Sequence, residues 1–159
     1  MARLTANLPR PCSCIFRSKS TNKSVISSTT LQDDDELLFP IKKNEEWIAE
    51  FFLTVGTDMT VHGVKLAVTV PPGATLRVTA APAAAQGTLA VKTTTTSGYT
   101  LDFTKGDFLV FFSLVHISVS VLNGGTAGNV TLQYAQSTSA PTALTVFQGS
   151  HVLAFRIHQ

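Results

Sequence analysis

Short apolar runs separated by turn-forming residues recur along most of this chain, and their spacing restricts the fold more than any other feature. In VHGVKLAVTV the side chains of Val64, Leu66, Val68 and Val70 alternate with other residues, so they would share one face of a strand. Turns such as PPGA, NGGTAGN and QGS follow these runs, and no stretch has convincing helical periodicity. About eight strands at intervals of roughly 8 to 15 residues predict an all-β fold, an antiparallel β-sandwich or jelly-roll-like domain.

The first 26 residues differ from the remainder of the chain. They contain Pro9, Pro11 and many small polar residues, with too few apolar side chains to build a core. We therefore predict an extended basic arm over residues 1–26, ordered when it lies on a partner, and a β-sandwich domain over residues 27–159.

The arm carries positive charge and no acidic residue. Its cations are Arg3, Arg10, Arg17, Lys19 and Lys23. Such an arm predicts contact with an acidic partner. Nucleic acid would be held weakly and with strong salt dependence, but Phe16 is the one aromatic ring in the arm, whereas single-strand binding platforms use several. An acidic protein surface is therefore the favoured partner of the arm, and nucleic acid is the less favoured one.

Four adjacent acidic residues follow the arm shortly after Leu31, namely Asp33, Asp34, Asp35 and Glu36. A calcium loop of the EF-hand type places its acids at alternating positions around a glycine. Adjacent side chains of an extended segment point in opposite directions, so these four cannot all face one ion. We predict a solvated turn between arm and domain without a bound metal. The alternative is a segment that pairs with a basic patch on a neighbouring subunit.

Motifs of the common enzyme classes are missing from the sequence. It contains no GxSxG, Walker or GxGxxG pattern. After residue 50 the acidic residues are Asp58, Asp102 and Asp107, too few for the acid and base pairs of hydrolases. Cys12 and Cys14 alone are too few for a zinc site. We expect no catalytic residues, no cofactor and no small-molecule substrate.

The run FLVFFSLVHISVSVL, residues 108–122, is the longest apolar segment. It is about five residues shorter than a membrane span and includes Ser118 and Ser120. We interpret it as a buried strand, expect no membrane partner, and expect His116 within it to be buried, hydrogen-bonded and neutral. The first 30 residues lack a continuous apolar segment, so we expect no secretory signal in them.

Several motifs taken together resemble a module found in uncharacterised virion proteins of tailed bacteriophages. They are Leu31 to Leu37 (LQDDDEL), Asn44 to Trp47 (NEEW), Pro71 to Ala74 (PPGA), Gly128 to Gln136 (GNVTLQYAQ) and Gly149 to Leu153 (GSHVL). The resemblance extends over about residues 26–157, apart from residues 75–107, and does not include the arm.

The resemblance implies a structural virion protein that is made in the host cytoplasm and is not an enzyme. We expect a homotrimeric capsid decoration (cement) protein on the capsid exterior, whose arm binds the major capsid protein and stabilises the shell. The alternative is a tail-fibre or baseplate component that binds a host receptor. At the start of the domain, the acidic run would face water or a neighbouring chain. Trp47 would pack in the core, or else at a subunit interface.

Overall fold

Two antiparallel β-sheets make up the computed structural model, which describes residues 13–56, 63–82, 90–104 and 112–158. The larger sheet has eight strands, which are β1 (Cys14–Ser18), β2 (Lys23–Val25), β4 (Glu46–Gly56), β6 (Thr75–Pro82), β7 (Lys92–Thr94), β9 (Phe112–Leu122), β11 (Leu144–Val146) and β12 (His151–His158). The smaller sheet has four strands, which are β3 (Gln32–Ile41), β5 (Val64–Thr69), β8 (Leu101–Phe103) and β10 (Gly128–Gln136).

Strand order in the larger sheet is β1-β12-β4-β9-β6-β7, with β11 pairing with both β4 and β2. The smaller sheet has the order β3-β10-β5-β8. Buried side chains from both sheets form one hydrophobic core. The chain is therefore an antiparallel β-sandwich, as predicted, although it has twelve strands because several three-residue strands were not anticipated.

Period-two alternation decides which side chains enter the core. In β4 the buried residues are Trp47, Ala49, Phe51, Leu53 and Val55, and the residues between them point away from the small sheet. The predicted alternation of Val64, Leu66 and Val68 in β5 is confirmed, since all three are buried. Val70 follows the strand and packs partly against the core.

Residues 14–25 contribute two strands to the large sheet, so the arm boundary predicted at residue 26 differs from the structure. β1 pairs with β12 from Cys14 to Ser18, and β2 pairs with β11. The reason is that Ile15 packs against the core and Val25 lies in it, which fixes a segment whose composition is mostly polar. Residues 1–12 lie outside the described residues.

The glycine-rich turn NGGTAGN connects the two sheets and does not close a β-hairpin. β9 before it belongs to the large sheet and β10 after it to the small sheet. Positive φ is not the reason for its glycines. A Cβ on Gly124 would lie 2.7 Å from the backbone oxygen of Gly73, so this glycine permits the loop to approach the turn between β5 and β6.

Among the described residues, no helix has the length and apolar character needed to cross a membrane. Residues 112–122 of the apolar run form β9, with only alternate side chains buried, and residues 108–111 lie outside the described residues. His116 lies on the exposed side of this strand, so the expectation that it is buried was wrong. His116, Ser118 and Ser120 alternate with buried valines and an isoleucine, and this alternation places His116 on the outward side of the strand.

Candidate functional site

The acidic run lies within β3 and not in a solvated turn, and one of its four side chains is buried. β3 departs from regular pairing with β10, because Asp33 lies opposite Gln133 while Leu38 lies opposite Thr131. Four residues of β3 thus face a single residue of β10, which is a β-bulge. The bulge turns Asp34 inward, where it is fully buried.

Asp34 receives its hydrogen bonds from its own strand and from Lys19. The backbone N–H groups of Glu36 and Leu37 each donate to its Oδ1 at 2.9 Å. The ammonium group of Lys19 donates to Oδ1 at 3.1 Å and to Oδ2 at 2.8 Å. Since neither side chain reaches solvent, this is a buried ion pair between the N-terminal segment and the small sheet.

Lys19 is also held through its backbone. Its N–H donates to the carbonyl oxygen of Ser150 at 2.8 Å, and its own carbonyl oxygen accepts the N–H of Gly149 at 3.0 Å. The backbone therefore joins the turn before β12 while the side chain reaches β3. Lys19 connects the two sheets and is not available to a partner, in contrast to its predicted role in the arm.

The other three acids of the run are at least partly exposed and have neighbours within the chain. The hydroxyl and the N–H of Ser20 donate to Glu36, which lowers the pKa of that carboxyl to about 2. A hydrogen bond from Lys23 lowers the pKa of Asp35. Gln133 donates to Asp33 at 2.7 Å. The run is therefore a structural feature at the junction of the N-terminal segment with the small sheet.

The predicted cations of the arm have different surroundings. Arg17 is exposed in β1, and Lys23 is half-buried beside Asp35. Arg3 and Arg10 fall within residues 1–12, outside the described residues. Leu31 is half-buried immediately before β3. The structure therefore brings Lys19 and Lys23 to the acidic run and leaves Arg17 on the surface.

Trp47 is buried in the core, 3% exposed, and its indole N–H donates to Glu45 at 3.0 Å. Glu45 is also buried and accepts hydrogen bonds from the N–H of Lys42 and from Arg156. Burial acts to raise the pKa of Glu45, but these donors outweigh it and hold the pKa below its ordinary value. An open pocket of about 540 Å³ lies beside this group, next to Ile15 and Pro40.

A row of aromatic rings crosses the larger sheet on the side that points away from the small sheet, here called the outer face. The row consists of Phe16 in β1, His151 in β12, Phe52 in β4 and His116 in β9. Their ring centroids are separated in turn by 5.6, 5.1 and 4.9 Å. Residues directly opposite in antiparallel strands place their side chains close together, and here His151 and His116 both lie opposite Phe52.

Glu50 stands beside the aromatic row and is the acid nearest its centre. It accepts hydrogen bonds from His116 and from the hydroxyl of Ser118 at 2.9 Å. Sequence inspection missed this arrangement, because the row is formed by residues more than 130 positions apart. The available signal was local: Ile48, Glu50 and Phe52 alternate with the core residues of β4, which marks them as outward-facing.

Within residues 13–56, 63–82, 90–104 and 112–158, no three side chains of His, Cys, Asp or Glu are grouped so that they could hold a metal ion. The outer face offers aromatic and aliphatic surface with two acids in β4, Glu46 and Glu50, a combination suited to contact with another macromolecule.

No protein-family model and no curated protein matches the chain. Among solved structures, it is similar to a chain in the structure of infectious bursal disease virus, Gt strain, with 10% sequence identity and a TM-score of 0.23. That alignment covers 94% of this chain and 37% of the viral chain, so this chain spans little more than a third of its length. A similarity at this level assigns neither a fold nor a function.

Proposed function

We propose that this chain is a structural virion protein that decorates a capsid, binds the major capsid protein and stabilises the shell. The observation that carries the proposal is the location of the motifs that resemble the tailed-phage module. LQDDDEL forms the bulge of β3, NEEW contains the Glu45–Trp47 contact, and GSHVL leads into β12. These motifs therefore lie at structural positions of the domain, which supports the proposal of a structural role.

Attachment would use the positive charge that remains available at the N-terminal end. Lys19 is buried and is excluded from this role. The candidates are Arg3 and Arg10 in residues 1–12, together with exposed Arg17. Each cation contributes little alone, but three copies in a closed trimer would bind the shell together, and multivalency converts weak single contacts into stable attachment.

The test is removal of residues 1–12, so that the chain starts at Ser13. This variant keeps β1, β2 and Lys19, so it should fold and unfold like the full chain. When the variant is added to particles that lack this protein, it should no longer sediment with them. Removal of residues 1–26 would be uninformative, because it would delete two strands and leave Asp34 buried without its partner.

A matched control keeps the length and changes the charge. Arg3→Ala with Arg10→Ala should weaken attachment, whereas Lys23→Ala should not, because Lys23 is paired with Asp35. If the chain that starts at Ser13 is folded and still decorates particles fully, attachment through the arm is wrong.

A tail-fibre or baseplate component that binds a host receptor is the second candidate. The exposed aromatic row favours it, because aromatic rings are common anchors in binding surfaces. Copy number distinguishes the two roles. Quantitative mass spectrometry of purified virions should give on the order of hundreds of copies for closed trimers spread over the shell. A handful of copies would indicate the tail.

A further inference from the structure

The outer face carries an unusual amount of exposed apolar surface for one side of a sheet. Seven large side chains on it are between 40 and 63% exposed, namely Phe16, Ile48, Phe52, Phe112, Leu114, Leu122 and Phe155. In the strand register these residues belong to four neighbouring strands, β1, β12, β4 and β9, so they share one side of the sheet, with polar residues such as Glu50 and Ser118 among them. We call this set of side chains the patch.

The size of the patch corresponds to a protein interface. With about 200 Å² for each large side chain, the exposed fractions amount to on the order of 700 Å² of apolar surface. The largest apolar patch of a typical monomer is about 300 to 600 Å². Each partner in a stable complex of standard size contributes about 800 Å². The patch is therefore large enough to be one side of such an interface.

The outer face carries few charged residues, which argues against a charged partner. At the outward positions of β4, β6, β9 and β12, the charged residues are Glu46, Glu50 and Arg77, apart from histidine. Glu50 already accepts hydrogen bonds from His116 and Ser118, so it can be covered without losing its partners. A nucleic acid or an acidic coat surface would meet few cations on the outer face. A partner surface that is equally apolar and low in charge would be complementary to it.

The outer face also combines projecting side chains with a hollow. The hollow has a volume of about 330 Å³ and is lined by residues that include Phe52, Pro82, Leu114 and His116. Leu114 at its rim is 62% exposed, and Phe112 beyond it is 63% exposed. A surface that carries both shapes can fit another copy of itself, as subunit contacts in symmetric oligomers require.

We infer that the outer face is the surface through which this chain associates with a second copy of itself. The low charge of the whole sequence, 14% of residues, agrees with a surface partly covered by sister subunits. The inference does not depend on the virion role, because every contact in it lies within the chain. The face that it names is centred on the aromatic row.

The experiment is sedimentation velocity of the full-length chain between about 1 and 100 µM, with two charge substitutions. Wild type should sediment as an oligomer over the upper part of this range. Leu114→Glu places a charge on an exposed position of the outer face, which the fold can accept, and it should raise the dissociation constant at least about 100-fold. Ile26→Glu is the matched control, since Ile26 is 58% exposed and follows β2, outside the four strands that carry the patch, and it should sediment as wild type.

Two results would overturn the inference. One is a wild-type chain that remains monomeric at about 100 µM. The other is a Leu114→Glu variant that is folded by circular dichroism and associates as strongly as wild type. Attachment to particles is measured separately, so a monomeric chain that still decorates particles would reject self-association and leave the proposed function intact. A chain that forms oligomers but does not attach to particles would support self-association and reject the proposed function.

Discussion

The ammonium nitrogen of Lys19 lies 2.8 Å from Oδ2 of Asp34, and both side chains are completely buried. Burial of one charge without its partner is costly, whereas the pair together is close to neutral in its effect on stability. The pair joins the segment before β2 to the bulge of β3, so it fixes the position of the N-terminal residues on the sandwich.

Lys19→Met should destabilise the domain by about 3 to 5 kcal/mol, because it leaves the carboxylate of Asp34 buried without its cation. The double variant Lys19→Met with Asp34→Asn should recover much of this loss. An asparagine oxygen can still accept the N–H groups that Asp34 binds in β3. Urea unfolding followed by circular dichroism measures both effects.

Lys23→Met is the control for this pair. Lys23 pairs with Asp35, whose side chain is 70% exposed, so its loss should cost less than about 1 kcal/mol. Equal losses for the Lys19 and Lys23 variants would contradict the distinction between the buried pair and the surface pair.

Glu36 should make stability dependent on pH in the acid range. Hydrogen bonds from Ser20 lower its pKa in the folded state to about 2, from an ordinary value of 4.5. A depressed pKa means that its contribution is fully present above about pH 4.5 and is lost as the pH falls towards 2. The difference in melting temperature between wild type and Glu36→Gln should therefore shrink over this interval. A difference that is constant from pH 7 to pH 2 would refute this assignment.

Trp47→Ala should cost about 3 to 5 kcal/mol, since the ring is buried and its centroid lies 5.7 Å from that of Phe39. Trp47→Phe should cost less, because it retains aromatic volume and loses mainly the hydrogen bond to Glu45. Chemical unfolding of the two variants gives both values. A change below about 1 kcal/mol for the alanine variant would mean that the ring is not a core residue.

Tyr134→Phe should leave stability unchanged or raise it by up to about 1 kcal/mol. The phenol oxygen of Tyr134 is buried and has no hydrogen-bond partner among the described residues, so its removal relieves an unpaired polar group. Burial, with the negative charges of Asp34 and Asp35, also raises the pKa of this phenol. Exposed Tyr99 provides the control, and Tyr99→Phe should change the unfolding free energy by less than about 0.5 kcal/mol. A clear loss of stability in Tyr134→Phe alone would indicate that its hydroxyl is bonded.

The sequence predicted the sandwich because the alternation of residues such as Val64, Leu66 and Val68 is a local property. It did not predict that Asp34 is buried, because the partner of Asp34 is fifteen residues away and its inward direction depends on a bulge. Composition suggested an arm through residue 26. Two apolar residues, Ile15 and Val25, are enough to hold that segment on a core that the other strands form.

The outer face is the second feature that could not be predicted from sequence patterns. Alternation identifies an inner and an outer side of β4 and β9, but the outer side of β9 also carries the exposed apolar residues Phe112, Leu114 and Leu122. The aromatic row also requires strand neighbours such as β12 and β1, which come from opposite ends of the chain. Such pairings follow from topology, and no local spacing encodes them.

The pairing of β1 with β12 has a consequence for biosynthesis. Cys14 lies opposite Phe155, so one of the first strands made must wait for the last before it has a partner in the large sheet. Sheets closed by such distant contacts form slowly. A nascent chain that lacks β12 also leaves the edge of β4 uncovered, and bare strand edges promote aggregation. We therefore expect the sandwich to close only after β12 has been made, and chains that stop before residue 151 to be insoluble.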